Sequence, residues 1–148
     1  MIIRKAKPTD IKAIVDHNVL LAMETENRCI DTNVVLKGVK TVFLNERNGF
    51  YLVAEHDHTI IGQVFITAEW SDWRNQSIWW MHRIYVKKHW RGKGVFKLLF
   101  QDILHRAQKE RVYALRLYML RNNERALRVY QQLSFEHTSF IILQNKMK

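Results

Sequence analysis

Apolar residues recur at helical spacing over the first third of the chain: Ile11, Ile14, Val15, Val19 and Ala22, then Val35, Leu36, Val39 and Phe43. This spacing predicts one amphipathic helix after Pro8-Thr9-Asp10, with Thr9 or Asp10 as its cap, and a second, weaker one over 32–44, ending before Asn48-Gly49. Glu24 to Asp31, between them, reads as loop, and Ile2 to Ala6 as a short first strand. The period then changes. Phe50 to Glu55 and Thr59 to Ala68 are strand formers around the polar His56-Asp57-His58, which reads as a hairpin. A polar and aromatic connection, Trp70 to Gln76, leads to another strand over 77–86. From Lys93 to Glu110 the helical stripe returns through Phe96, Leu99, Phe100, Ile103 and Ala107. Val112 to Met119 reads as a strand, 123–133 as a last helix, and Phe135 to Gln144 as one or two closing strands. A strand, helix, strand succession is a crossover unit, so the strands on either side of the 93–110 helix are expected to run parallel. The expected fold class is α/β, with a mixed sheet covered by helices.

At 148 residues, with 47% apolar content, five glycines and one proline, the chain is expected to form one domain over 1–148, without a linker or an internal repeat. The N-terminus lacks the apolar stretch of a signal peptide, and no segment approaches 18 uninterrupted apolar residues. A soluble, cytoplasmic protein with no membrane partner is expected. The single cysteine, Cys29, has no disulfide or CxxC partner and reads as a small packing residue; no metal site is expected.

Charge changes the picture more. Twenty-four Lys and Arg against 14 Asp and Glu give a net charge of +10, a field that draws anions. Nucleic acid is one candidate, but it calls for aromatics interleaved with Lys and Arg across a sheet face. The charges cluster instead at Lys87, Lys88, Arg91, Lys93 and Lys97, around Gly92 and Gly94, and again at Arg121, Arg125 and Arg128. The first cluster lies where a strand turns into a helix. There, unpartnered amides at the positive end of the helix dipole form an anion site, glycines admit the ligand to the backbone, and lysines add charge. A diphosphate is the expected guest. A P-loop is excluded because no GxxxxGK[ST] is present, and a Rossmann site because no GxGxxG follows the first strand.

Arg91-x-x-Gly94, after a strand ending Ile84-Tyr85-Val86, resembles the acyl-CoA-binding signature [QR]-x-x-G-x-[GA] of the GNAT acetyltransferases. Asn123-x-x-Ala126-Leu127-x-x-Tyr130-x-x-Leu133-Ser134-Phe135 resembles a second segment of the same superfamily, N-x-x-A-x-x-x-Y-x-x-x-G-F, and the order of elements agrees along essentially the whole chain. Two positions depart from the pattern: Phe96 stands at a usual Gly or Ala, its ring expected in the core, and Ser134 at a usual Gly.

The resemblance implies the GNAT fold, a central mixed and mostly antiparallel sheet flanked by about four helices, and transfer of an acetyl group from acetyl-CoA to a primary amine. The backbone of Ile84, Tyr85 and Val86 would bind the pantetheine arm and polarise the thioester carbonyl. Arg91, Gly92, Lys93, Gly94, Val95, Phe96 and Lys97 would hold the diphosphate, Asn123 the cofactor arm or the helix cap, and Tyr130 would be the acid that protonates the leaving thiolate. The base is open between Glu69 and His82, with Asp72 a third option and a water chain a fourth. Four of the five tryptophans, Trp70, Trp73, Trp79 and Trp80, fall beside the expected acceptor cleft, at least two of them as core. Glu69 and Asp72 would suit a cationic amine, but His82-Arg83 stands where polyamine acetyltransferases carry an acidic pair. An acyl-CoA sensor without activity and a basic nucleic-acid-binding module are the competing functions, and a homodimer is left open.

Overall fold

The computed structural model describes residues 1–147, and the chain divides into two compact units, Met1–Leu117 and Tyr118–Lys148. The first unit contains a five-stranded sheet in the order β1-β2-β3-β4-β5, formed by β1 (Ile2–Lys5), β2 (Phe50–His56), β3 (Thr59–Ser71), β4 (Gln76–Val86) and β5 (Ala114–Arg116). Neighbours from β1 to β4 are antiparallel, and β4 pairs parallel with β5, so the crossover expected from the sequence is present.

Helices α1 (Ile11–Glu26) and α2 (Thr32–Leu44) pack on one face, where Ile14, Val15 and Val39 meet Tyr51, Val53 and Ile60 in a common buried cluster. Helix α3 (Val95–Lys109) buries Val95, Leu99, Phe100, Ile103 and Ala107, with Val95 and Leu99 lying against Gly62 of β3. A Cβ at Gly62 would come within 3.0 Å of Val95 Cγ1 and 3.3 Å of the Tyr85 carbonyl oxygen. Glycine there lets the first turn of α3 lie close to the sheet.

Several boundaries and placements differ from the sequence reading. Helix α1 continues through Glu26 and ends at Asn27, in a left-handed conformation at φ 48°, so Glu24 and Thr25 are helical rather than loop. Its start has no side-chain cap: Asp10 ends a 3-10 turn, and its carboxylate accepts from the Lys7 amide and from Arg4 instead. Asp31 caps α2, accepting from the Asn33 and Val34 amides. Cys29 is exposed, because the short connection after Asn27 runs along the surface. Trp79 is buried against Phe50, but Trp70 and Trp73 are exposed, since the hairpin tip carries them past the ends of the covering helices. Phe96 is half-buried beside Phe100, the deepest place on its turn being taken by Val95.

In the second unit, α4 (Glu124–Gln132) is capped by Asn123, whose side-chain oxygen accepts from the Ala126 amide at 3.1 Å. The closing strands expected over 135–144 are not formed among the described residues, and Phe140 to Leu143 are exposed. Strand propensity depends on a neighbouring ladder, and this apolar run makes none.

Candidate active site

The β4–β5 ladder covers only Ile78 to Trp80, whereas pairing with β3 continues to Val86. Ile84, Tyr85 and Val86 therefore lie beyond the β5 ladder, and no strand among the described residues pairs with them on that side. Opposite Val64, β4 carries an extra residue where the register shifts, and Arg83 sits there at φ 50°. A bulge of this kind bends the strand and re-aims the residues beyond it. The chain leaves β4, makes a short 3-10 turn at Lys88–Trp90, and enters α3 through Arg91 to Gly94.

Gly92 and Gly94 have φ of 76° and 78°, which favours glycine, and a Cβ built on either would meet nothing within 4 Å. Conformation, and not crowding by the protein, sets the choice of glycine, and the space above the turn is clear. The helix behind it is 15 residues long, so its first amides and its dipole face this space. Lys93 and Lys97 are exposed beside it, with the Lys93 ammonium 5.2 Å from the Trp90 ring centroid. An open, strand-derived backbone edge that runs into a cationic helix N-terminus fits an extended ligand with an anionic end. Acetyl-CoA has that form.

The Arg91 side chain is engaged elsewhere. Its Nε donates to the Val86 carbonyl at 2.8 Å, its terminal nitrogen pairs with Glu24, and its guanidinium lies 5.4 Å from the Tyr85 ring centroid. The Tyr85 hydroxyl donates to the other Glu24 oxygen at 3.2 Å.

On the α1 and α2 face of the sheet, Thr67 pairs with Trp80 and Phe65 with His82, which places Glu69, Thr67, Trp80 and His82 on one surface. His82 Nε2 is 2.8 Å from Thr67 Oγ1, and its ring stacks near Trp80. The Trp80 indole donates to Glu69 at 2.6 Å, and Arg116 of β5 lies 3.8 Å from the same Glu69 oxygen. Burial, reinforced by the charge of Arg83, holds the His82 pKa below the ordinary histidine value, so the imidazole is neutral at pH 7. The two candidate bases are thus linked through Trp80, and Glu69 already carries an indole proton and a guanidinium. Asp72 lies apart, in the turn between β3 and β4, where it accepts from the Trp73 amide.

Tyr130 and Asn123 belong to the C-terminal unit. Tyr130 stands near the end of α4 with its ring 5.9 Å from Phe135, and burial pushes its phenol up to about 12, which keeps it protonated. Its carbonyl accepts from the Leu133 and Phe135 amides, and Ser134 takes the left-handed conformation at φ 65°. Ser134 thus adopts the backbone that a glycine would provide at this position.

Four contributors were missed from the sequence: Glu24, Gly62, Thr67 and Arg116. Gly62 had a visible signal, a glycine inside a strand pattern. Glu24 had none, because its partner Arg91 is 67 residues away.

No helix among the described residues is long and apolar enough to cross a membrane, and no cluster of three or more potential metal ligands occurs among them. The chain is 25% identical over 134 residues to a probable spermine N(1)-acetyltransferase of Bacillus subtilis subsp. natto (strain BEST195), covering 86% of this chain and 87% of the relative. A solved structure of a possible acetyltransferase from Clostridium difficile 630 is 35% identical, with a TM-score of 0.93 over 99% of this chain and 97% of that one. An aminoglycoside acetyltransferase from an uncultured soil metagenomic sample shares the fold alone, at 16% identity and a TM-score of 0.77 over 99% and 96% of the two chains. The model of the Acetyltransferase (GNAT) family matches residues 20–135, which contain both the glycine turn and the Asn123 to Phe135 segment, and the chain belongs to this family of acyltransferases, which use acetyl-CoA as cosubstrate.

Proposed function

We propose that the protein transfers the acetyl group of acetyl-CoA to a primary amine of a small molecule or peptide by direct attack of the neutral amine. The observation that carries this reading is the open end of β4 running into the Gly92 to Gly94 turn at the start of α3. In this arrangement the pantetheine arm lies along Ile84, Tyr85 and Val86, whose backbone polarises the thioester carbonyl. The diphosphate rests on the amides from Gly92 to Lys97. Asn123, by capping α4, orders the helix that carries Tyr130.

Neutral His82 is the better placed proton acceptor for the amine, with Thr67 orienting its ring. Glu69 fixes the Trp80 indole beside it. Tyr130 serves the leaving sulfur. A thiol has an ordinary pKa of ~8.5, so full proton transfer from a phenol near 12 is uphill by ~5 kcal/mol. Tyr130 therefore acts mainly as a hydrogen-bond donor that stabilises negative charge on sulfur as it develops.

The acceptor is an amine that tolerates a mixed surface. Glu69 favours a cation, but Arg116 beside it and Arg83 next to His82 reduce the field that a polyamine would require. Calorimetry with acetyl-CoA, followed by a thiol-release assay over monoamines, diamines, polyamines and amino-terminal peptides, tests the reading. Absence of acetyl-CoA binding refutes it, and binding without turnover on any amine favours a sensor.

A further inference from the structure

Arg91 opens the turn assigned to the diphosphate, yet its guanidinium is held on three sides by the protein itself. Val86 takes one N–H, Glu24 takes another, and the Tyr85 ring lies beneath. Glu24 in turn receives the Tyr85 hydroxyl, so both of its oxygens are used. The Tyr85 ring also rests 4.9 Å from that of His17, further back along α1. The last turns of α1 are thereby joined to the end of β4 and to the first residue of the turn.

We propose that Glu24 is a positioning residue for the cofactor. By pairing with Arg91 it holds that side chain against the Val86 carbonyl, which sets where Gly92 to Gly94 begin and keeps their amides aimed at the diphosphate. This inference rests on the reading of the turn as the diphosphate site. Glu24 and Arg91 act as one unit, with Arg91 serving the anion through the shape of the turn and not through its charge. A charge-assisted pair of this kind, about one-third exposed on each side, is locally strong and sensitive to loss of either partner.

The test compares acetyl-CoA affinity by calorimetry in the wild type, Glu24→Gln, Arg91→Gln and the double variant, with a melting curve for each. Glu24→Gln and Arg91→Gln should each weaken binding roughly three- to tenfold, and the double variant should be no weaker than the worse single one. Acetylated pantetheine, which lacks the diphosphate, should serve the wild type and Glu24→Gln with the same kcat/KM within about twofold, a split that general destabilisation would not produce. If Glu24→Gln does not fold, Glu24→Asp keeps the charge but shortens its reach to Arg91 and should show a smaller loss, again confined to donors with the diphosphate.

Unchanged affinity, additive losses in the double variant, or an equal loss with acetylated pantetheine would overturn the inference. So would tighter binding in Glu24→Gln, which would mean that a released Arg91 reaches the diphosphate itself. Failure of the wild type to bind acetyl-CoA at all would instead refute the proposed function, and the two failures are therefore distinct.

Discussion

Placing a side chain at Gly94 separates the two requirements on the turn, conformation and access. Gly94 has φ 78°, a region that costs an L-residue ~1–2 kcal/mol, while its Cβ would meet no protein atom within 4 Å. Gly94→Ala should therefore fold, with a midpoint lower by about 3–10 °C for a chain of this size. The ligand meets a different situation. With the diphosphate bound as proposed, a methyl group on the N-cap of α3 would stand where it approaches the backbone, and loss of one charge-assisted contact is worth ~1.5–3 kcal/mol, or about 10- to 150-fold in affinity. Gly94→Val should lie at or beyond the upper end of that range. Calorimetric titration with acetyl-CoA, at a temperature well below the midpoint of the variant, measures the loss directly. Wild-type affinity in a folded Gly94→Val protein would show that the diphosphate does not sit on this turn. An affinity loss no larger than the folding cost predicts would mean that access plays no part.

Acid should destabilise the protein through His17, whose ring is 1% exposed and lies beside Tyr85. Burial, then the charge of Lys87, lowers its pKa from 6.5 to about 4, against weaker opposition from Gln63 and Asp16. The unfolded chain takes up that proton first, so the contribution is fully present above 6.5 and is lost as pH falls towards 4, by up to ~3 kcal/mol. Urea unfolding of wild type and His17→Phe at pH 7 and pH 4.5 checks this, and equal pH dependence in the two would remove His17 as the cause. Tyr130→Phe should lower kcat by about 10- to 100-fold with acetyl-CoA affinity nearly unchanged, and unaltered turnover would take Tyr130 out of the reaction. Ser134→Gly should raise stability by ~0.5–1 kcal/mol, because Ser134 holds φ 65°; a loss of stability in chemical denaturation would show that its side chain compensates for the strain.

Local pattern was sufficient for most of the fold. Helix α2 matches its expected bounds, α3 was legible because it buries a single face at one period, and the β2–β3 hairpin because two runs of strand formers flank a polar turn. The errors fall where tertiary context decides. Glu24 to Glu26 lack an apolar stripe, yet α1 extends through them; Phe140 to Leu143 have strand composition, yet no ladder receives them. Residue type could not say which of the four clustered tryptophans are core: Trp79 is buried, whereas Trp70 and Trp73 are exposed, because a long hairpin carries its tip beyond the helices that would cover it. The glycine turn was legible for a different reason: positive φ next to a helix start leaves a direct trace in residue type.

What residue type could not convey is which side chains in the turn face a ligand. Arg91 is the basic residue of the signature, and a reading by charge alone assigns its guanidinium to the diphosphate. Its three protein partners change that assignment and leave Lys93 and Lys97, both exposed, as the cations available at this helix start. The bulge at Arg83 has a similar logic. It shifts the face presented by β4, so that Tyr85 is directed towards α1 while the backbone from Ile84 to Val86 opens beyond β5. Side chains on one side of this strand end fasten it, and its backbone lies beyond the β5 ladder. A substitution at Tyr85 should therefore affect the cofactor through strand position, even though the Tyr85 side chain points away from the open edge.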